Sequence, residues 1–343
     1  MLLVLLVIVF LFKTIPHLAI TYTKHIYPCL GNILSHISGI TPLPIGDVFI
    51  TLSIAWVITY PCYGIFYKKK KKTLVLWNVA EYLLWIYVWF YAAWGLNYSQ
   101  QNIYSRTGMN PVDVSKSEFH SFVNNYIDSL NSSYQDIKEL DKANAEKEIL
   151  HEYNILTRNE PGIGINPPFN NRPHVKTMLF SRLCSMAGVT GSMGPFFCEF
   201  TLNSELQPHE YPATYAHELA HFLGISNEGE ANFYSYIVCT KSHDKAIRFS
   251  GYYQILFHVI VSIDDILGDE EGRILIKRIN PKVLELAKAD RRYWLSRRSQ
   301  VVDKAQNFVY NLYLRGNNIE EGTKSYSMVI GIIMAWKRHC HDI

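Results

Sequence analysis

Three long apolar stretches open the chain: Met1 to about Tyr22, Asp47 to Tyr67, and Thr73 to about Gly95. Each approaches the roughly 20 residues that a helix needs to cross the hydrocarbon core of a bilayer. Backbone inside a bilayer must satisfy its own hydrogen bonds, so the segments are expected as helices. The expected organisation is a membrane region over 1–97, with transmembrane helices at about 1–22, 47–67 and 73–95, followed by a separate domain over 98–343. The first stretch carries Lys13 and has some look of a signal peptide. It lacks a small-x-small cleavage site, so it is read as a retained anchor.

The lipid bilayer is thus the first expected partner. Lys68 to Lys72 fill the short connection between the second and third stretches, and clustered lysines in short loops stay on the cytoplasmic side. That places residues from about Asn97 onward on the outer face, the expected topology of a multi-pass bacterial inner-membrane protein with an extracytoplasmic domain. A net charge of +3 with 18% charged residues gives no footprint for nucleic acid, because the one dense basic run lies between apolar segments. Six cysteines form no Cys-x-x-Cys pair, which argues against a thiolate zinc ribbon or a dithiol redox site. Cys184 and Cys198 are expected as two ordinary buried thiols rather than a disulfide.

Beyond Ser99 the pattern is mainly helical. Helical patches run from about Ser115 to Asn154, and a Pro/Gly/Asn-rich loop from Asn159 to Pro173. Gly188 to Leu202 reads as strand or hairpin with a break at Gly191-Ser192-Met193-Gly194, and helices resume from Tyr211.

Within that region, His217-Glu218-Leu219-Ala220-His221 has the spacing His-Glu-x-x-His. On a helix, residues i and i+4 share a face, so both imidazoles can converge on one ion while Glu218 reaches a metal-bound water. Pro212 suits the first turn of such a helix and Gly224 its end. Catalytic zinc takes three protein ligands and leaves one position open. The third is expected to be Glu230, whose helical neighbours Phe233, Tyr234 and Ile237 are apolar, with Glu228 in the preceding turn pointing elsewhere. Asn227, three residues before Glu230, is also the spacing of a helix cap. The position where a further histidine would complete the metzincin spacing is Asn227, a poor zinc ligand beside free glutamates.

Glu230-Ala231-Asn232 after the histidine helix resembles the Glu-Ala-x pattern on the third-ligand helix of gluzincins such as thermolysin and the HtpX-type membrane peptidases. Over most of its length the chain resembles domain-of-unknown-function family 3810, bacterial membrane proteins with a peptidase-like domain. The resemblance is carried by Pro44-Ile45-Gly46-Asp47, Trp94-Gly95-Leu96-Asn97-Tyr98, the histidine helix with Glu230-Ala231-Asn232-Phe233, Tyr310-Asn311 through Leu314, and Lys324-Ser325-Tyr326. Phe197-Cys198-Glu199-Phe200 departs from it, standing where a more polar stretch is expected. The implied fold is mainly α, with N-terminal transmembrane helices and an α+β zincin-like domain holding a small sheet.

These readings converge on an expected zinc metallopeptidase. His217, His221 and Glu230 would bind Zn2+, and Glu218 would act as general base on a peptide or protein substrate. Tyr326, at the start of a last helix, would donate a hydrogen bond to the developing oxyanion. The strand around Val189 to Leu202 would bind substrate backbone by strand addition or serve as a core strand. The alternatives are a non-catalytic metal-binding membrane scaffold and a zinc hydrolase of a non-peptide substrate. The intact Glu218 argues against the scaffold, since a structural zinc site has no use for a neighbouring base.

Overall fold

A computed structural model of the chain describes residues 1–170, 173–304 and 324–341, the last over 328–340 for side chains. Two compact units interleave along the sequence. The first comprises Met1–Gln101, Phe169–Leu179 and Ser192–Thr201, and the second Asn102–Pro168, Phe180–Gly191 and Leu202–Ile343. The expected division at residue 97 therefore falls close to the first crossing, but the chain returns to the first unit twice.

In the first unit, the opening apolar stretch is not one straight helix. Helix α1 (Leu2–Thr14) stops at Ile15, whose φ of −98° and ψ of 108° are extended, and α2 (Pro16–Thr21) begins on Pro16. A residue before proline is driven out of the α region, and proline has no N–H to continue the ladder. The axis bends by 96° between α1 and the helical run Pro16–Ser38, which ends in α3 (Tyr27–Ser38). The 13 residues of α1 rise only about 20 Å at 1.5 Å each, short of the roughly 30 Å core. The expected span over 1–22 is thus replaced by a bent pair.

The other two stretches do form long helices. Helix α4 (Ile45–Cys62) continues through a π turn to Tyr67, and α5 is Lys72–Ala93. Both are long and apolar enough to cross a membrane. Ser53 of α4 and Tyr82 of α5 join hydroxyls at 2.9 Å, and Lys13 donates to the Tyr91 hydroxyl at 2.8 Å.

A three-stranded sheet has the order β1-β3-β2, with β1 Lys176–Thr177, β2 Gly191–Gly194 and β3 Glu199–Leu202. The expected break at residues 191–194 is itself a strand. The turn lies one step later and closes on Cys198, at a φ of +46°. Glu199 explains two motifs at once. Its Oε1 accepts from the Gly46 N–H at 2.5 Å, and its Oε2 sits 2.6 Å from the Lys176 ammonium. Lys176 also donates to the carbonyls of Ser38 and Leu43, each at 2.8 Å. The Asp47 carboxylate accepts from the Leu179 N–H at 2.9 Å. The Pro-Ile-Gly-Asp stretch is thereby bound to the two inserted segments of the same unit.

The second unit is helical. Helix α6 is Ile103–Thr107, α7 Lys116–Ser133, α8 Lys142–Asn159, and α9 Ser181–Met186. Ser115 and Glu118 form a reciprocal capping box on α7, and Asp141 caps α8. Next come α10 (Tyr211–Phe222), α11 (Glu228–Lys241), α12 (Lys245–Gln254), α13 (Leu256–Leu267), α14 (Asp269–Lys277) and α15 (Pro281–Leu295), and the last labelled helix, α16, is Lys324–His341. The core lies where α10 and α12 pack on α11, and Tyr215, Phe222, Phe233, Tyr234 and Phe249 are fully buried there. Buried tyrosines find carbonyl partners, as Tyr153 does on Ala216 at 2.7 Å, which holds α8 to the middle of α10. Cys184 and Cys198 are free thiols, Cys198 buried and Cys184 partly exposed.

Candidate metal centre

Helix α10 starts on Tyr211-Pro212 and stops where Gly224 takes a φ of +100°, a conformation that costs glycine little. The loop then folds back, and the Ile225 N–H reaches the Ala220 carbonyl at 3.1 Å. This reversal brings the first turn of α11 over the histidine face of α10.

The His217 and His221 Nε2 atoms lie 3.0 Å apart. Glu228 Oε2 is 3.1 Å from the first and 3.5 Å from the second. All three ligand atoms fall within 4.8 Å of one another. Each imidazole is tethered through its other nitrogen. His221 Nδ1 donates to the Ile225 carbonyl at 2.7 Å, and His217 Nδ1 lies 2.9 Å from the Asn232 Oδ1. When both rings are neutral with their protons held there, two Nε2 lone pairs and a carboxylate face one point, an arrangement that a divalent cation suits. Burial raises the carboxyl pKa of Glu228, but the His221 and His217 imidazoles outweigh it and hold it well below the usual range. His221 is pulled down by burial and up by Glu228, and ends at about 9.

The structure brings Glu228 to the two histidines, where the sequence pattern points to Glu230. Glu230 was expected at the histidines, yet it sits on another side of α11. Its Oε1 accepts from the Ile103 N–H at 2.8 Å, and its Oε2 pairs with Arg106 at 2.5 Å. Arg106 in turn donates to the Gly164 carbonyl at 2.7 Å. The Asn227 side chain accepts from the Glu230 N–H at 3.0 Å, so the cap spacing is realised. The reason is angular. Residues two apart on a helix point about 200° apart, so Glu228 and Glu230 cannot share a target. Asn232, four after Glu228, does share its face, and the two hold opposite nitrogens of His217.

Glu218 is 5% exposed, and its Oε2 has no hydrogen-bond partner among the described residues. Burial pushes its carboxyl pKa up; the neighbouring His217 and His221 imidazoles pull against that, and Glu228 adds to it. Gly191 lies directly against this side chain: a Cβ there would stand 2.3 Å from Glu218 Oε1 and 2.6 Å from Cγ. Tyr326 falls in the first turn of α16, and its side chain lies outside the described residues.

A second cluster, His209, Glu210 and Asp290, is satisfied internally. His209 meets Asp290 at 2.7 Å, the hydroxyl of Tyr253 also donates to Asp290, and Trp294 donates to Glu210 at 2.7 Å.

A family model described as protein of unknown function (DUF3810) matches residues 22–334, and the chain belongs to that family. Comparison with curated proteins and with solved structures gave no match.

Proposed function

We propose that the chain is a membrane-anchored zinc metallopeptidase of zincin-like type, with His217, His221 and Glu228 as metal ligands and Glu218 as general base. One observation carries this reading: a buried carboxylate oxygen without a hydrogen-bond partner among the described residues stands beside a three-ligand cluster whose donor atoms converge. An unpaired buried carboxylate costs stability, so its retention points to use. Two imidazoles and one carboxylate match the ligand set of catalytic rather than structural zinc. When bound, zinc supplies Lewis acidity and lowers the pKa of its water towards about 7.

The chain's own residues would do the rest. Glu218, desolvated and with a raised pKa, takes the proton of the attacking water and returns it to the leaving amine. Ile225 and Asn232 keep the imidazole protons off the metal side. Gly191 leaves room for the carboxylate to stay at its position. The substrate is a peptide or protein. Orientation follows from the lysine run at 68–72: kept in the cytoplasm, it sends α5 outward and the second unit to the extracytoplasmic face, whatever the bent α1 pair does.

The test is metal analysis and a peptide-library digest of the full-length, detergent-solubilised chain. Stoichiometric zinc with cleavage by wild type, and zinc without cleavage by Glu218→Gln, is the expected result. Absence of zinc from wild type, or undiminished cleavage by the variant, would overturn the reading.

A further inference from the structure

A histidine offers a metal its Nε2 lone pair only while its proton sits on Nδ1, which requires an acceptor there. For His221 that acceptor is the carbonyl of Ile225, which can only accept. For His217 it is Asn232, and an amide has two ends. With its oxygen towards Nδ1 it fixes the metal-binding tautomer. Turned over, its NH2 would donate to Nδ1, drive the proton to Nε2 and block the electron pair. A carboxylate at this position would carry no such ambiguity, so something must hold the amide.

Gln254, the last residue of α12, has its Nε2 3.2 Å from the same Asn232 Oδ1. Its own amide oxygen accepts from the Ser235 hydroxyl at 2.7 Å, and the same hydroxyl oxygen lies 2.8 Å from the Ala213 carbonyl oxygen. Ser235 is fully buried. With the Ser235 proton on Gln254 Oε1, the hydrogen bonds run in one direction, from Ser235 to Gln254 to Asn232, and meet the His217 proton at Asn232 Oδ1. Turning the Asn232 amide over would set NH2 against NH2.

We propose that Gln254 is a positioning residue for the metal site: by donating to Asn232 it fixes the amide whose oxygen keeps the His217 proton on Nδ1. The inference rests on the metallopeptidase reading. It is tested by the zinc affinity of the full-length chain in detergent, measured by competition with a chromophoric chelator and needing no turnover. Outer-shell partners of metal ligands typically contribute about 10- to 100-fold in affinity, and Gln254→Leu is expected at the lower end, about tenfold weaker. Gln254→Glu, nearly isosteric but able only to accept, should bind zinc at least as weakly. Asn232→Asp removes the ambiguity, so in that background Gln254→Leu should cost less than about threefold, well under the usual outer-shell effect.

Wild-type affinity in Gln254→Leu and Gln254→Glu would overturn the inference while leaving zinc binding intact. So would an equal loss from Gln254→Leu in both backgrounds, which would show that Gln254 acts by packing alone. Failure of wild type itself to bind zinc would overturn the metal reading instead, and the inference with it.

Discussion

Glu199 in the first unit and Glu218 in the second are both buried glutamates, at 3% and 5% exposure, in opposite surroundings. Glu199 has a lysine on one oxygen and a backbone N–H on the other, and that lysine is further held by two carbonyls. Glu218 has imidazoles nearby and an oxygen with no hydrogen-bond partner among the described residues. A fully paired buried charge holds segments of chain together. An incompletely paired one weakens the fold and is expected where chemistry needs a base. The two sites separate a carboxylate that ties segments of the fold together from one that the proposed reaction would use.

The contrast breaks most visibly in turnover. Glu218→Gln should lower kcat by about 10²- to 10⁴-fold, the usual size of a general-base contribution, with zinc content unchanged. Wild-type turnover in this variant would erase the distinction.

Stability should respond the other way round. Lys176→Met strands the Glu199 carboxylate and should destabilise the fold by about 3–5 kcal/mol, read as a large fall in Tm. A change under about 1 kcal/mol, the size of an exposed pair, would show that water reaches Glu199.

The two glutamates of α11 sharpen the comparison. Glu228→Ala should abolish stoichiometric zinc binding with little change in Tm. Glu230→Ala strands the buried Arg106 and should cost about 3–5 kcal/mol of stability while zinc still binds the folded fraction. Calorimetry and metal analysis on the same samples check both, and the reverse pattern would return Glu230 to the metal.

The smallest effect is in the pH dependence of the metal-free protein. The folded-state pKa of Glu218 is raised above its unfolded value. Its contribution is therefore fully favourable below the unfolded value, about 4.3, and is lost as pH rises through the folded one. Metal-free Glu218→Gln lacks that loss, so it should melt like wild type near pH 4.5 and above it at pH 8. A Tm difference that does not change with pH would contradict the raised value.

What was legible in the sequence was local. The imidazole pair, the neighbouring Glu218 and the stop at Gly224 follow from i, i+4 spacing and helix-ending rules within a dozen residues, and α4 and α5 from length and apolarity. The placement of Glu230 was not legible because its partners, Ile103 and Arg106, lie over 120 residues upstream, where no spacing rule reaches. A signal for placing Glu228 beside the histidines was nonetheless present. Glu228 and Asn232 are four apart, able to address both sides of one imidazole, whereas Asn227 and Glu230 had the spacing of a cap. The break at Pro16 was equally readable from the proline. The tie between Gly46 and Glu199 was not, because it depends on a sheet assembled from segments distant in sequence. Tyr326 lies beyond the described side chains, so its role as oxyanion donor stands as an expectation from the sequence.

The interleaving of the two units also decides where the gene can be cut. Removing the first hundred residues to obtain a soluble fragment would leave 169–179 and 192–201 behind, severed from the unit to which they belong. Phe169 would lose the edge-to-face ring of Tyr27, and the buried Cys198 would lose both the Tyr27 hydroxyl and its close fit against Gly31. Such a fragment would carry two sticky loops and be prone to clump during expression, so insolubility on truncation would be a consequence of chain threading and would say nothing about the chemistry of the site.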